Sequence, residues 1–524
     1  MARRLTPVTV ARSRAIAGWL SISFVVPFAL LLVLYALSVP LGQGYFRYRY
    51  SPVREMRSVR ALAMLPVMGM ACAGVWLLAR RAASARRAGA AVMVLAMIAA
   101  GVWGWLGPPE PLTQQMFNLT SPSSDGAFLL EAGKVTSLPQ YLRDFPRMVG
   151  RETPQTLSGT RVLSNPPGMT AFTYVVLAYT SPPPGQVGWI ERVLVEREGM
   201  EPQQLSLIGA TVRLSISLCI AWVAAGFAAY GLGRVFLSPA GAAVFAVIVT
   251  FNPCTVSFVP GKDPAQLFTI NLMLWAWLAG WKRGHPEYSA PGDITGRAMN
   301  GGIFWMSPFL SGAMLVIGST VGLIHIWVAV AALAAMLWQD RPRWREIMLH
   351  NIVPAVVGGA VVIVVAWVVL GWNIPLTLWA TARRWSEIQK TFQMNRAVWY
   401  LIGLPIFLLF LSPGLWTLAG MNLRRARMAF GARLVLCTVA VMLLIYLVMG
   451  VTYELPRLWV AFLPPLTLGL AVNWPVLRAR GEHPRVAKAL ALIVLVQVFF
   501  TTFHWTFFDA REAEYRLTSK RFYQ

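Results

Sequence analysis

Residues 350–371 read HNIVPAVVGGAVVIVVAWVVLG, a run without one Lys, Arg, Asp or Glu. As a helix rising about 1.5 Å per residue it spans about 33 Å, enough to cross the roughly 30 Å hydrocarbon layer of a bilayer. Runs of the same kind recur along the chain. They predict spans near 16–40, 61–79, 88–106, 206–232, 240–258, 264–282, 303–317, 321–338, 350–371, 398–420, 433–451, 458–474 and 489–508. The stretch 303–338 is too long for one helix, and the split is expected at Gly318, Ser319 and Thr320. A shorter apolar run, 168–180, suits a re-entrant or interfacial helix better than a crossing.

Composition agrees. The 524 residues are 57% hydrophobic and 13% charged, against roughly 45–50% and 25% in soluble proteins. That excludes a string of soluble domains, a disordered chain and a disulfide scaffold. The expectation is an all-α integral membrane protein of about thirteen transmembrane helices, with a large extracytoplasmic first loop containing short amphipathic helices. Three regions follow: 1–87 with two accessory spans, a core over 88–474 including the outer loop 107–205, and 475–524 with the last span and an outer tail.

The formal charge of +25 comes from 46 Lys plus Arg against 21 Asp plus Glu. These cations form no single patch or stripe of the sort that binds nucleic acid. They cluster in short segments between apolar runs. With a cytoplasmic N-terminus the inner segments carry 23 Lys or Arg against 5 acids, and the outer ones 22 against 16 in nearly twice as many residues. That bias orients the chain by the positive-inside rule. One outer segment dissents, 41–60, with Arg47, Arg49, Arg54, Arg57 and Arg60. Cys72, Cys219, Cys254 and Cys437 all fall in apolar runs without paired or metal-ligand spacing and read as small core residues. The first apolar run is too long for a cleaved signal. The absence of trafficking signals and the richness in Ala, Arg and Gly favour a bacterial inner (plasma) membrane.

Polar sequence long enough to build a site lies mainly outside. Loop 107–205 holds Ser124-Asp125-Gly126 and Ser164-Asn165-Pro166-Pro167-Gly168. Lys262-Asp263-Pro264 and Glu454-Leu455-Pro456-Arg457 are expected in tight turns on the same face, and Arg213 lies about two turns below it inside a span. An intramembrane ionisable group is a functional hypothesis by default. Each feature also has a structural reading: Asp125 as a turn or helix cap, Asp263 as the cap before Pro264, Arg213 snorkelling outward, and Glu454 with Arg457 as a local ion pair. His325 and His504 read as packed residues. The segment 372–397, with Trp379, Arg383, Arg384, Trp385 and Lys390, reads as an amphipathic interfacial helix.

The order of these motifs resembles the GT-C superfamily of membrane glycosyltransferases, over about 100–470. The run comprises Asp-Gly in the first outer loop, Asn-Pro-Pro-Gly before a short helix, an Arg-containing span, Lys262-Asp263-Pro264 and Glu454-Leu455-Pro456-Arg457. The resemblance implies a polyprenyl-phosphate sugar as donor, an extracytoplasmic acceptor, and a carboxylate at Asp125 acting as base or metal ligand. Asp263 matches the second acidic position. A divalent metal, Mg or Mn, would then be held by Asp125 and Asp263. Two departures stand out: a single acid where many members have two adjacent ones, and Asn165 where many have His or Lys. In such chemistry Arg213, Lys262 and Arg457 would hold the donor phosphate, with Glu454 and Asn165 in support. The rivals are a polytopic transporter or lipid flippase, and a non-catalytic partner in envelope glycan assembly. A transporter would be expected to carry acids or interrupted helices near the midplane.

Overall fold

The structure is a computed structural model that describes residues 7–37, 49–50, 69, 119, 125–152, 157–183, 186–198, 202–283, 306–391, 396–423, 430–450, 455–474, 477, 492–501, 504 and 508–509. The expected spans 61–79 and 88–106, Glu454, and most of 475–488 lie outside the described residues.

Helix α1 is Pro7–Ala36. Short helices follow: α2 Gly126–Ala132, α3 Leu138–Arg151, α4 Thr160–Ser164, α5 Gly168–Thr180 and α6 Trp189–Glu198. They lead into α7 Pro202–Arg234, α8 Pro239–Thr250, α9 Pro253–Val256 and α10 Lys262–Arg283. After these come α11 Met306–Val321, α12 Ile324–Gln339, α13 Trp344–Ile347, α14 Val353–Leu370 and α15 Ile374–Thr391. The last are α16 Arg396–Phe410, α17 Pro413–Leu423, α18 Phe430–Leu447, α19 Leu455–Leu458 and α20 Leu463–Val472. The strand pairing among the described residues is a two-residue antiparallel contact of Arg49–Tyr50 with Phe508–Asp509.

Among the described residues four stretches, Ser206–Arg234, Arg341–Leu370, Phe430–Leu447 and Leu455–Val472, are long and apolar enough to cross a membrane, or five if α16 and α17 count as one bent span. The surface agrees with that reading. On α14, Val356, Trp367, Val368 and Val369 are all exposed, the last three by 64%, 73% and 69%. A contiguous apolar surface of this kind belongs in lipid or against a partner. Where α14 meets α11 the contact is close because glycine permits it. A Cβ at Gly312 would lie 1.7 Å from the Ala355 carbonyl oxygen, and one at Gly358 would lie 1.9 Å from that of Phe309. Small residues at helix crossings are the usual means of close packing in membranes.

Three expected regions differ in detail. Residues 240–258 form not one helix but α8 and α9, because Pro253 lacks an amide donor and Asn252 caps the new helix by accepting from the Cys254 amide at 3.1 Å. At about 18 Å, α8 is short of a full crossing. The interruption in 303–338 falls at Gly322 and Leu323 rather than at 318–320, which remain helical. Gly318 is needed inside α11 for packing: a Cβ there would sit 2.3 Å from the His325 ring. Residues 398–420 bend through 97° where Phe410 gives way to Pro413.

Contacts between helix ends sort into two sets. At one end the Lys282 ammonium donates to the Val235 carbonyl at 2.6 Å, and the Trp281 indole to Asp340 at 2.7 Å. The Arg433 guanidinium donates to Trp338 O at 2.9 Å, and the Ser238 amide to Leu477 O at 2.8 Å. At the other, Tyr446 donates to Tyr400 O at 2.6 Å and Arg384 to Glu152 O at 3.1 Å. The short helices α2 to α5 gather at this second end, over the start of α10.

Candidate active site

Helix α10 starts immediately after Gly261, so the amide of Lys262 is one of the donors a helix N-terminus leaves without an internal partner. Asp125 supplies the acceptor from far along the chain: its Oδ2 takes a hydrogen bond from the Lys262 amide at 2.6 Å. A negative charge at that position also complements the helix dipole. Gly261 makes the approach possible, because a Cβ there would lie 2.4 Å from the Phe258 carbonyl oxygen and 3.0 Å from Asp125 Oδ2. Asp125 does occupy the residue before α2, yet its carboxylate makes no capping bond to that helix. Its work is done across the fold.

The other oxygen, Asp125 Oδ1, pairs with Nη1 of Arg161 on α4. The same guanidinium reaches Asp263 Oδ2 through Nη2 at 3.5 Å. Asp263 is held further by Lys262 Nζ and by Gln266 Nε2, each 3.3 Å from Oδ1, and by Arg457 Nε, 3.3 Å from Oδ2. Lys262 Nζ also donates to Asn165 Oδ1 at 2.9 Å, and Asn165 Nδ2 donates to the Arg161 carbonyl at 2.9 Å. The group is therefore two carboxylates and three cations, with Asn165 as a bridge. Asp125, Arg161, Lys262, Asp263 and Gln266 are all buried, and Arg457 nearly so. Burial pushes the Asp263 carboxyl up, but Lys262, Arg457 and Arg161 outweigh it and hold the group below the usual carboxylate range.

Of the expected site residues, the fold brings Asp125, Asp263, Lys262, Arg457 and Asn165 together. Arg213 has another partner: it pairs with Glu191 of α6, both side chains buried. His325 lies at the rim, its Nε2 2.8 Å from Thr269 Oγ1 and Nδ1 2.8 Å from Gly322 O. His504 is packed edge-on against Phe410, with ring centres 4.2 Å apart. Sequence reasoning missed Arg161 and Glu191. Arg161 is four residues before Asn165, one helical turn from a motif already singled out; that spacing was the available signal. Glu191 gave none beyond being an acid in a loop expected outside.

Comparison of the chain with models of known protein families gave no match, and comparison with curated proteins gave none either.

Proposed function

We propose that the chain is a membrane glycosyltransferase of GT-C kind, moving a sugar from a polyprenyl-phosphate-linked donor to an extracytoplasmic acceptor. The observation that carries this reading is the meeting of both expected acidic positions with three fixed cations at one end of the helical bundle. The thirteen-span topology and the bacterial inner-membrane location belong to the same proposal. The helix-end contacts support the alternating course of the described helices, since each joins ends that the charge bias puts on one side; the location rests on composition.

In this reading the acceptor oxygen attacks the anomeric carbon as the bond from that carbon to the phosphate oxygen breaks. The electron pair leaves with the phosphate, and the hydroxyl proton passes to Asp125. Both Asp125 oxygens are engaged, but each carboxylate oxygen has two lone pairs, so Oδ1 retains a place for the hydroxyl. General-base assistance of this sort contributes roughly 10²–10⁴-fold. Arg161, Lys262 and Arg457 carry one positive charge more than the two carboxylates cancel, which suits a leaving phosphate. Asp263, held anionic, stabilises positive charge developing on the sugar, by analogy with glycoside hydrolysis.

The interrupted helices favour a second reading, a transporter, since transporters build midplane sites from such breaks. Here the two breaks face each other. Asn252 Nδ2 donates to Ser412 Oγ at 3.1 Å, and the Gly414 amide to Gln497 Oε1 at 3.1 Å. Gln497 Nε2 donates to Phe251 O at 2.8 Å. The freed backbone groups are thus met by the chain's own buried side chains, as a structural joint requires, and the charged cluster lies elsewhere.

The test is transfer of labelled sugar from a panel of synthetic polyprenyl-phosphate sugars by purified protein, beside Asp125→Asn. Turnover with one donor that vanishes in the variant, at unchanged membrane abundance, is the expected result. Full activity in Asp125→Asn would sink the mechanism.

A further inference from the structure

The family resemblance implies a divalent metal held by Asp125 and Asp263, and these residues do not fit one. All four carboxylate oxygens already face a positive or hydrogen-bonding group: Asp125 Oδ1 the Arg161 guanidinium, Asp125 Oδ2 the Lys262 amide, Asp263 Oδ1 Lys262 Nζ and Gln266 Nε2, and Asp263 Oδ2 the charges of Arg161 and Arg457. Arg161 spans the gap between the two carboxylates, one nitrogen on each. A small divalent cation needs oxygen ligands at about 2.0–2.1 Å in near-octahedral array. To reach these oxygens it would approach three positive side chains in a buried site. Among the described residues no third His, Cys, Asp or Glu completes a ligand group. Gln266, which bonds Asp263 through Nε2, has its neutral Oε1 buried and without a hydrogen-bond partner.

We infer that Arg161 stands in the place a divalent cation would need between Asp125 and Asp263, so that the site takes its anionic ligand without metal. The guanidinium then does two things a metal would otherwise do. It places a positive charge between two buried carboxylates, and it presents its remaining donors to a phosphate oxygen, with Lys262 and Arg457 beside it. The charge argument stands on the cluster alone. The choice of a lipid phosphate as the ligand rests on the proposed transferase reading.

Purified full-length protein in nanodiscs is titrated with Mn²⁺ alone, followed by electron paramagnetic resonance of the free ion, and separately with farnesyl phosphate in EDTA and in Mg²⁺. The expected results are no saturable Mn²⁺ binding and the same farnesyl phosphate Kd in both media. Arg161→Met should weaken that binding about tenfold or more, the loss of a charge-assisted hydrogen-bonding pair; Arg161→Lys should retain metal-free binding at lower affinity. Stoichiometric Mn²⁺ binding that Asp125→Asn removes would overturn the inference, as would farnesyl phosphate binding that requires Mg²⁺. Absence of Mn²⁺ binding together with absence of farnesyl phosphate binding in either medium would leave the metal-free cluster standing and count against the lipid-donor reading.

Discussion

Asp263 is a carboxylate with more positive neighbours than it can neutralise, and that imbalance fixes how it answers to pH. Its folded pKa lies below the ordinary value, which is about 3.9 in an unfolded chain. By linkage its ionised form stabilises the fold fully above the unfolded value, and that contribution is lost as pH falls through the lower folded one. Thermal unfolding of the detergent-solubilised protein is expected to show no Asp263-dependent loss from neutral pH down to about 4, then a fall below it. Asp263→Asn should be destabilised at neutral pH and converge on the wild type in acid; a gap that widens on acidification would contradict the assignment. At this scale the site was legible wherever a residue belonged to a punctuated motif, as Asp125, Asn165 and Lys262-Asp263-Pro264 do. Arg161 was harder to read: its one local signal is the spacing of four residues before Asn165, and only the fold sets it between two acids.

At the scale of elements, Arg213 joins α7 to α6 through Glu191, and glycine wraps the pair on both sides. A Cβ at Gly188 would lie 2.3 Å from Glu191 Oε2, and one at Gly209 would lie 2.1 Å from Glu191 Oε1. Removing one member of such a buried pair leaves an uncompensated charge, at a cost of about 3–5 kcal/mol, whereas replacing both is far milder. Arg213→Met alone should therefore lower thermal stability strongly, and Arg213→Met with Glu191→Gln should recover most of it. Equal losses in single and double variants would return Arg213 to a role outside the pair. The long apolar elements were legible from length and hydropathy alone, because a span requires nothing more. Their interruptions carry a local signal in Asn252-Pro253 and Ser412-Pro413, but what holds the breaks within the bundle lies far off in sequence. Ser412 receives a bond from Asn252, and Gln497 serves both Phe251 O and the Gly414 amide. The shift of the α11–α12 break to Gly322 likewise follows from the need for a bare Cα at Gly318 beside His325.

Across the whole molecule, sidedness is the property on which the proposed site depends. The charge bias predicts that the segments after α1 and after the last apolar run end on the same face, and the pairing of Arg49–Tyr50 with Phe508–Asp509 joins those two segments. The same parity holds for Lys282 with Val235, Trp281 with Asp340 and Arg433 with Trp338 at the opposite face. An odd number of missed or surplus crossings between any such pair would put bonded groups on opposite sides of a bilayer, which no contact allows. In a background with Cys72, Cys219, Cys254 and Cys437 replaced by Ala, a cysteine at exposed Lys134, beside the charged cluster's short helices, should react with an impermeant thiol reagent applied to intact cells. A cysteine at exposed Glu346, between α12 and α14, should react only after permeabilisation. The reversed pattern would put the Asp125–Asp263 cluster on the cytoplasmic face, where an extracytoplasmic acceptor could not reach it, and labelling of both sites in intact cells would mean that α10 to α14 do not hold the alternating course their contacts describe.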